Sequence, residues 1–152
     1  MIKKGWSMRR FNFWRIWLFI VAVVITVFGV LMAFLNQTAV FAIFNREINV
    51  VFWPNGEVGR ELPQFQSWVY GVWGATVAGM GIFAAYVAHN PFARREKWAR
   101  QCLAAGTVVW YVLDTYISLA SGVVFNALFN TLVFLLIVAP LVFTWRDFET
   151  SN

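Results

Sequence analysis

The sequence predicts an all-α protein, a membrane-embedded bundle of four helices that forms a single domain over residues 1–152. Of its 152 residues, 61% are hydrophobic and only 12% are charged. Four apolar stretches of about twenty residues make up more than half of the chain, and each is long enough to cross a bilayer. A soluble chain of this length could not bury so much apolar surface, so lipid must cover it.

The first predicted span covers residues 14–35 and carries no charge beyond Arg15. At 1.5 Å per residue it reaches about 30 Å, one hydrocarbon thickness. Its basic start resembles that of a signal peptide, but the apolar run is longer than the 7 to 15 residues typical there. We therefore expect a retained membrane helix.

The other predicted spans cover residues 68–88, 98–119 and 123–144. Pro91 ends the second, because the residue before a proline is disfavoured in the helical region. Ser121 and Gly122 form a tight reversal between the third and the fourth. Pro140 removes a backbone hydrogen bond and is expected to bend or fray the end of the fourth helix.

The distribution of basic residues predicts the orientation. Ten of the twelve lysines and arginines lie before or at the start of the first span, in or beside the loop between the second and third, or after the fourth. Arg46 and Arg60 lie on the other side, near Glu57. The positive-inside rule then places both termini in the cytoplasm, in a bacterial-type inner membrane. The net charge of +5 is thus a topological signal that attracts membrane lipids, and nucleic acid is not an expected partner.

Residues 37–67 form one short extracytoplasmic loop, for which the sequence leaves two structures open. Residues 47–53 are rich in β-branched and aromatic side chains and precede the turn signal at Asn55 and Gly56, which favours a hairpin. Alternatively, residues 39–44 form an interfacial helix whose Phe41 and Phe44 enter the bilayer. The loop is either a lid over an outward-facing site or a simple connection.

Asp114 is the one acidic residue predicted within the hydrocarbon, where a carboxylate costs at least about 2.5 kcal/mol. A two-residue reversal places positions whose numbers sum to about 243 at equal depth on the third and fourth helices. Asp114 then lies level with Asn130, and Ser118 lies close to Asn126. The two residues on each helix are four positions apart and share a face. Counting 1.5 Å per residue from the outer helix ends places Asp114 and Asn130 about 9–10 Å below the outer boundary.

Aromatic side chains at similar depth complete a candidate pocket with Tyr70, Trp73 and Trp110 as its wall. A few polar groups in an apolar wall are typical of a small binding site. The sequence therefore predicts a non-catalytic protein that binds a lipid-like or small amphipathic ligand. The alternatives are polar helix-to-helix contacts that bind nothing, a proton or ion relay, and a lipid-modifying enzyme with Asp114 as its acid or base.

Small residues on the second helix, Gly71, Ala75 and Gly79, recur at four-residue spacing. Such stripes let helices approach closely, either within the chain, in a homo-oligomer or against a partner membrane protein. No cofactor and no metal site is expected, because Cys102 and His89 are single residues of their kinds and supply no ligand set.

From Trp68 onward, about half of the chain resembles a group of small bacterial four-helix integral membrane proteins. The resemblance implies four membrane-spanning helices. It does not imply any particular activity. The residues that carry it are Tyr70, Gly71, Val72, Trp73, Gly74, Ala75, Thr76, Pro91, Phe92, Glu96, Trp98, Asp114, Ser118, Asn126 and Asn130.

Overall fold

A computed structural model of the chain describes residues 2–56, 59 and 61–149, with side chains from Met8 onward. These residues contain six α-helices and no β-strand. A 3-10 turn, Ala39–Phe41, joins the first helix to the second. Glu57 and Arg60 lie outside the described residues. The helices are α1 (Ile2–Leu35), α2 (Ala42–Phe52), α3 (Leu62–His89), α4 (Lys97–Ala120), α5 (Val124–Phe143) and α6 (Trp145–Glu149).

Four of these helices, α1, α3, α4 and α5, are long and apolar enough to cross a membrane, which confirms the predicted number of spans. Only 17–28% of the most apolar window of each helix is buried inside the protein. Large apolar side chains cover the outside instead, such as Phe34 with 82% of its surface exposed. A surface of this kind requires lipid around it. The chain thus has the architecture of a multi-pass membrane protein.

Two helices begin earlier than the predicted spans: α1 begins at Ile2 and not at residue 14, and α3 begins at Leu62, six residues before its predicted start. Pro63 lies in its first turn, where a proline needs no N–H partner and its fixed φ suits the helix. The extra turns lift the start of α3 towards α2.

The four spanning helices are arranged as two closely packed pairs. The most extensive contact joins α1 to α3, the next joins α4 to α5, and the two pairs meet mainly through α1 and α5. The main contacts follow the order α3, α1, α5, α4, and α3 also contacts α4 directly. Two ends can be distinguished: the basic end, which carries the start of α1, the α3–α4 loop and α6, and the α2 end.

The α1–α3 contact depends on glycine. A Cβ built on Gly74 would lie 2.6 Å from both the Ala33 nitrogen and the Gly29 oxygen, so no larger residue fits without moving backbone. Gly81 is equally close to Thr26 on α1. The small residues that pack are Gly74, Ala78 and Gly81, on the face beside the predicted stripe. Gly79 of that stripe has no such neighbour within 4 Å.

The segment from residue 42 to residue 52 is a helix, so the hairpin alternative for the loop is wrong. Phe41, Phe44 and Ile48 recur at helical spacing and pack with Phe28 and Tyr70 in one apolar cluster. Burial of that face outweighs the β-propensity of the branched side chains, because propensity is only a weak preference that packing overrides. The helix α2 therefore folds over the ends of α1 and α3.

Pro140 does not end α5, which continues to Phe143. A proline leaves the carbonyl four residues earlier, that of Leu136, without its helical donor. The indole N–H of Trp17 on α1 donates to that carbonyl oxygen at 3.0 Å. The Thr144 hydroxyl donates to the Pro140 carbonyl at 2.6 Å just beyond the helix end. The Trp17 indole thus supplies the donor that Pro140 lacks, and the Thr144 hydroxyl caps the end of the helix.

Aromatic rings hold the basic end together. Phe11 of α1 stacks on Phe92 of the α3–α4 loop at 5.9 Å between ring centroids, and Phe148 of α6 contacts both rings edge-on. Phe92 and Phe148 are fully buried. In the α3–α4 loop, a hydrogen bond from Arg94 lowers the pKa of Glu96. A hydrogen bond from the Trp98 indole lowers it further, by a smaller amount.

Substitution of Gly74 by alanine tests the α1–α3 contact. The new methyl group would overlap backbone atoms of α1, so we expect Gly74→Ala to lower the free energy of unfolding by about 1–3 kcal/mol. Denaturation of the purified protein in detergent, followed by circular dichroism and tryptophan fluorescence, measures the change.

Gly79→Ala is the matched control on the same helix, because nothing obstructs a methyl group there. Alanine is the better helix former, so this variant should be neutral or gain up to about 1 kcal/mol. Equal losses in the two variants would contradict the contact.

Candidate functional site

The turn between α4 and α5 sets the alignment of the polar residues on these helices. Gly122 adopts a left-handed conformation with φ of +77°, which glycine tolerates without strain. The Val123 N–H donates to the Ser118 carbonyl at 2.8 Å and the Gly122 N–H to that of Leu119 at 3.0 Å. These two bonds are the Schellman pattern that ends a helix sharply. Consequently α5 starts directly beside the last turn of α4.

Asp114, Ser118 and Asn126 form one hydrogen-bonded network across the two helices. The Asn126 amide donates to Asp114 Oδ1 at 2.9 Å and is 2.8 Å from Ser118 Oγ. The Ser118 hydroxyl lies 2.7 Å from the Asp114 carbonyl oxygen and 3.2 Å from Asp114 Oδ1. One carboxylate oxygen therefore faces two donors.

A second bond between the helices gives the same alignment. The hydroxyls of Tyr111 and Thr131 lie 3.1 Å apart, one turn deeper than the Asp114 network. The position numbers of all three hydrogen-bonded pairs between the helices sum to between 240 and 244. This register agrees with the value of about 243 expected from a two-residue reversal.

Asn130, expected level with Asp114, makes no hydrogen bond within the described part of the chain. Only 2% of the surface of this residue is exposed, and its Nδ2 atom is buried without a partner. Thr115, at nearly the same depth on α4, also has a buried hydroxyl without a partner. A buried unpaired polar group costs about 1–3 kcal/mol. The Asn130 amide and the Thr115 hydroxyl are thus the two buried polar groups near the Asp114 network that have no hydrogen-bond partner among the residues that the structure describes.

The Asp114 carboxyl has no cationic partner among the described residues. Its Oδ1 receives a hydroxyl and an amide hydrogen bond, and no ion pair involves it. The side chain is only half-buried, so its second oxygen is accessible from outside the network. An unpaired carboxylate at membrane depth is costly. The site therefore favours a group that donates hydrogen bonds to this oxygen.

The three aromatic residues of the expected wall lie in different places. Tyr70 is buried with Met32 and Phe41 between α1, α2 and α3. Trp73 is 41% exposed on the outside of α3. Trp110 lies one turn from Asp114 on α4 and is half-buried. Within the described residues, no hydrogen bond or ring contact joins any of the three to the Asp114 network.

Aromatic residues that were not expected at this site lie beside α5 at the α2 end. Phe44 of α2 packs edge-on against Phe125 and Phe129 of α5, with centroids 5.1 and 5.3 Å apart. Phe28 of α1 completes the group at 5.4 Å from Phe129. Their spacing of four residues on α5 is the sequence signal for a shared face.

A second polar cluster at the α2 end was not expected from the sequence. The Gln66 amide lies 3.2 Å from Asn49 Oδ1 and 3.3 Å from the Tyr70 hydroxyl, which links α2 to α3. The Asn45 amide donates to the Asn36 carbonyl at 2.8 Å. Amide side chains in this segment show no periodic sequence pattern that would predict their contacts. Only the position of α2 over the bundle shows that these amides come together.

Two surface concavities can be described, and neither is lined by the Asp114 network. A groove of about 430 Å³ runs between α1 and α3 and is almost wholly apolar. A cleft of about 330 Å³ lies at the basic end. The polar site on α4 and α5 is thus a partly buried set of hydrogen-bonding groups with one accessible carboxyl oxygen.

Comparison with known proteins gives no match: no family model, no curated protein sequence and no solved structure is similar to this chain.

Leucine substitutions at the two asparagines of α5 should have different effects on stability. Asn126→Leu removes donors to Asp114 and Ser118, and at about 0.6 kcal/mol per bond in a membrane bundle it should cost about 1 kcal/mol. Asn130→Leu removes an amide that has no described partner, so stability should stay unchanged or rise. Detergent denaturation of both variants measures the difference. An equal cost at Asn130 would mean that the folded chain satisfies this amide.

Proposed function

We propose that this chain is a non-catalytic binding protein of a bacterial-type cytoplasmic membrane, which holds a lipid-like or small amphipathic ligand between α4 and α5. The observation that carries the proposal is the buried, unpaired amide of Asn130 beside the Asp114 network. A polar group without a partner is expensive inside a membrane protein, and a bound ligand that pairs with it removes that cost.

The chemistry of the site indicates the polar part of the ligand. The accessible oxygen of Asp114 accepts hydrogen bonds, and Nδ2 of Asn130 donates one. A hydroxyl group can do both, since it donates to the carboxyl and accepts from the amide. Ser118 and Asn126 hold the carboxyl in place, and Trp110 lies within one turn of it. The preferred ligand therefore has a neutral hydroxylated head and an apolar body.

Catalysis is not part of this proposal. The described partners of Asp114 are a hydroxyl and an amide, neither of which exchanges protons readily at neutral pH. A lipid-modifying enzyme or a proton relay would need a second acid or base in contact with this carboxyl.

A structural subunit is the second candidate function. Ala75 is exposed, and a methyl group added at Gly79 would meet no non-neighbouring atom within 4 Å, so this part of α3 is free of α1. Such a face could pack against a second copy or a partner membrane protein. Ala75→Leu would then change the oligomeric state without disturbing the α1–α3 contact.

Native mass spectrometry of the gently extracted protein tests the ligand. We expect a bound small molecule on the wild type that is lost in Asp114→Asn and in Asn130→Leu. Because Asn130→Leu should not weaken the fold, loss of the molecule in this variant reports the site itself.

Thr76→Val is the matched control, because its hydroxyl bonds only the Val72 carbonyl on the exposed face of α3. This variant should keep the ligand. A wild type that carries nothing specific and migrates as a defined oligomer would contradict the binding function and support the structural one.

Both termini are proposed to lie in the cytoplasm, since the basic end carries ten of the twelve lysines and arginines. Cysteine labelling tests this orientation in a Cys102→Ser background. A membrane-impermeant maleimide should label Asn55→Cys, in the α2–α3 loop, from outside intact cells. It should label Arg94→Cys only in inside-out vesicles. The reverse pattern would refute the orientation.

A further inference from the structure

The cleft at the basic end opens between the start of α1 and the junction of α5 with α6. It has a volume of about 330 Å³. Two guanidinium groups and three apolar or aromatic side chains form its walls, and no acidic residue lines it. The lining residues are Arg10, Val142, Phe143, Trp145 and Arg146.

The two arginines have hydrogen-bond donors to spare. Arg10 Nη2 lies 3.7 Å from the buried carboxylate of Asp147, but 53% of the Arg10 side chain is exposed. Arg146 is exposed and makes no hydrogen bond or ion pair within the described part of the chain. A guanidinium carries five N–H donors in a fork that matches two oxygens of a phosphate group.

The wall formed by Trp145 is held in position. The Arg100 guanidinium lies 3.8 Å from the centre of the Trp145 ring, and Arg100 Nη1 donates to the Trp145 carbonyl at 3.2 Å. The indole N–H donates to Glu149 Oε1 at 2.6 Å. These contacts fix the ring, so the cleft exists before anything binds.

The apolar part of the cleft faces the lipid. Val142 and Phe143, at the end of α5, are 60% and 54% exposed. The cleft thus places two cations at the membrane boundary directly beside an apolar surface that continues into the hydrocarbon. A free phosphate ion would leave the apolar surface of Val142 and Phe143 uncovered, whereas the acyl chains of a lipid would cover it.

We propose that this cleft is a specific site for an anionic glycerophospholipid. Its phosphodiester group lies between Arg10 and Arg146, and its acyl chains run along Val142 and Phe143. The argument is charge complementarity at a preformed cleft, as in basic pockets between membrane helices that bind acidic lipid headgroups. The site is separate from the one proposed on α4 and α5 and stands independently of it.

Lipid titration of the full-length protein in detergent tests the site. Phosphatidylglycerol and phosphatidylcholine with identical chains are added, and native mass spectrometry counts the bound lipids. We expect one phosphatidylglycerol to bind at least tenfold more tightly than phosphatidylcholine. Arg146→Gln should remove about a factor of ten from that affinity, the effect of losing charge-assisted hydrogen bonds.

Two further variants separate the site from general attraction. Arg9→Gln makes the same change of charge at the same end, but Arg9 does not line the cleft, so selectivity should persist. Val142→Trp fills the cleft with no change of charge and should reduce binding as Arg146→Gln does.

Equal losses in Arg9→Gln and Arg146→Gln would overturn the proposal, because they would show diffuse attraction to a basic surface. Displacement of phosphatidylglycerol by millimolar inorganic phosphate would also overturn it, in favour of a simple anion site.

Discussion

The absence of water in the hydrocarbon region is the constraint on which the rest of this structure depends. Each polar group there must find a partner within the protein, or remain at a cost. Thr26, Thr76 and Thr131 each donate to the carbonyl four residues earlier in their own helix. The same requirement explains why Trp17 donates to the carbonyl that Pro140 leaves without a donor. Against this background, the unpaired amide of Asn130 and the unpaired hydroxyl of Thr115 are exceptions that invite a functional explanation.

Close packing in this bundle is concentrated where side chains are smallest. Lipid tails are as apolar as the helices, so burying leucine against leucine gives little drive to associate. The contact of Gly29 and Gly74 brings two backbones together and gains dispersion energy along the whole α1–α3 pair. The α4–α5 pair uses a different device, a tight turn at Gly122 and hydrogen bonds between polar side chains. One pair is therefore rigid through shape and the other through polar contacts.

The two ends of the bundle are built from different chemistry. At the α2 end, amides and phenylalanines tie α2 to the spanning helices. At the basic end, arginines lie over aromatic rings, as Arg95 does over Phe11 at 4.6 Å from the ring centre. Cation–π contacts of this kind leave guanidinium edges free to meet anions. A basic, aromatic end suits anionic headgroups, and an end rich in neutral amides does not.

The sequence by itself determined the four spans, because a helix crosses the hydrocarbon layer if it is long and apolar enough, and both properties are local to the segment. The reversal at Ser121 and Gly122 also predicted the register of α4 on α5, although Asp114 bonds Asn126 and not Asn130, the residue expected level with it. Only the tertiary structure decided the structure of α2 and the neighbours of Tyr70 and Trp73. Those depend on which helix stands beside which, and the apolar outside of each span matches lipid or another helix equally well. The pairing of α1 with α3 depends on backbone contact at glycine, which hydropathy does not register.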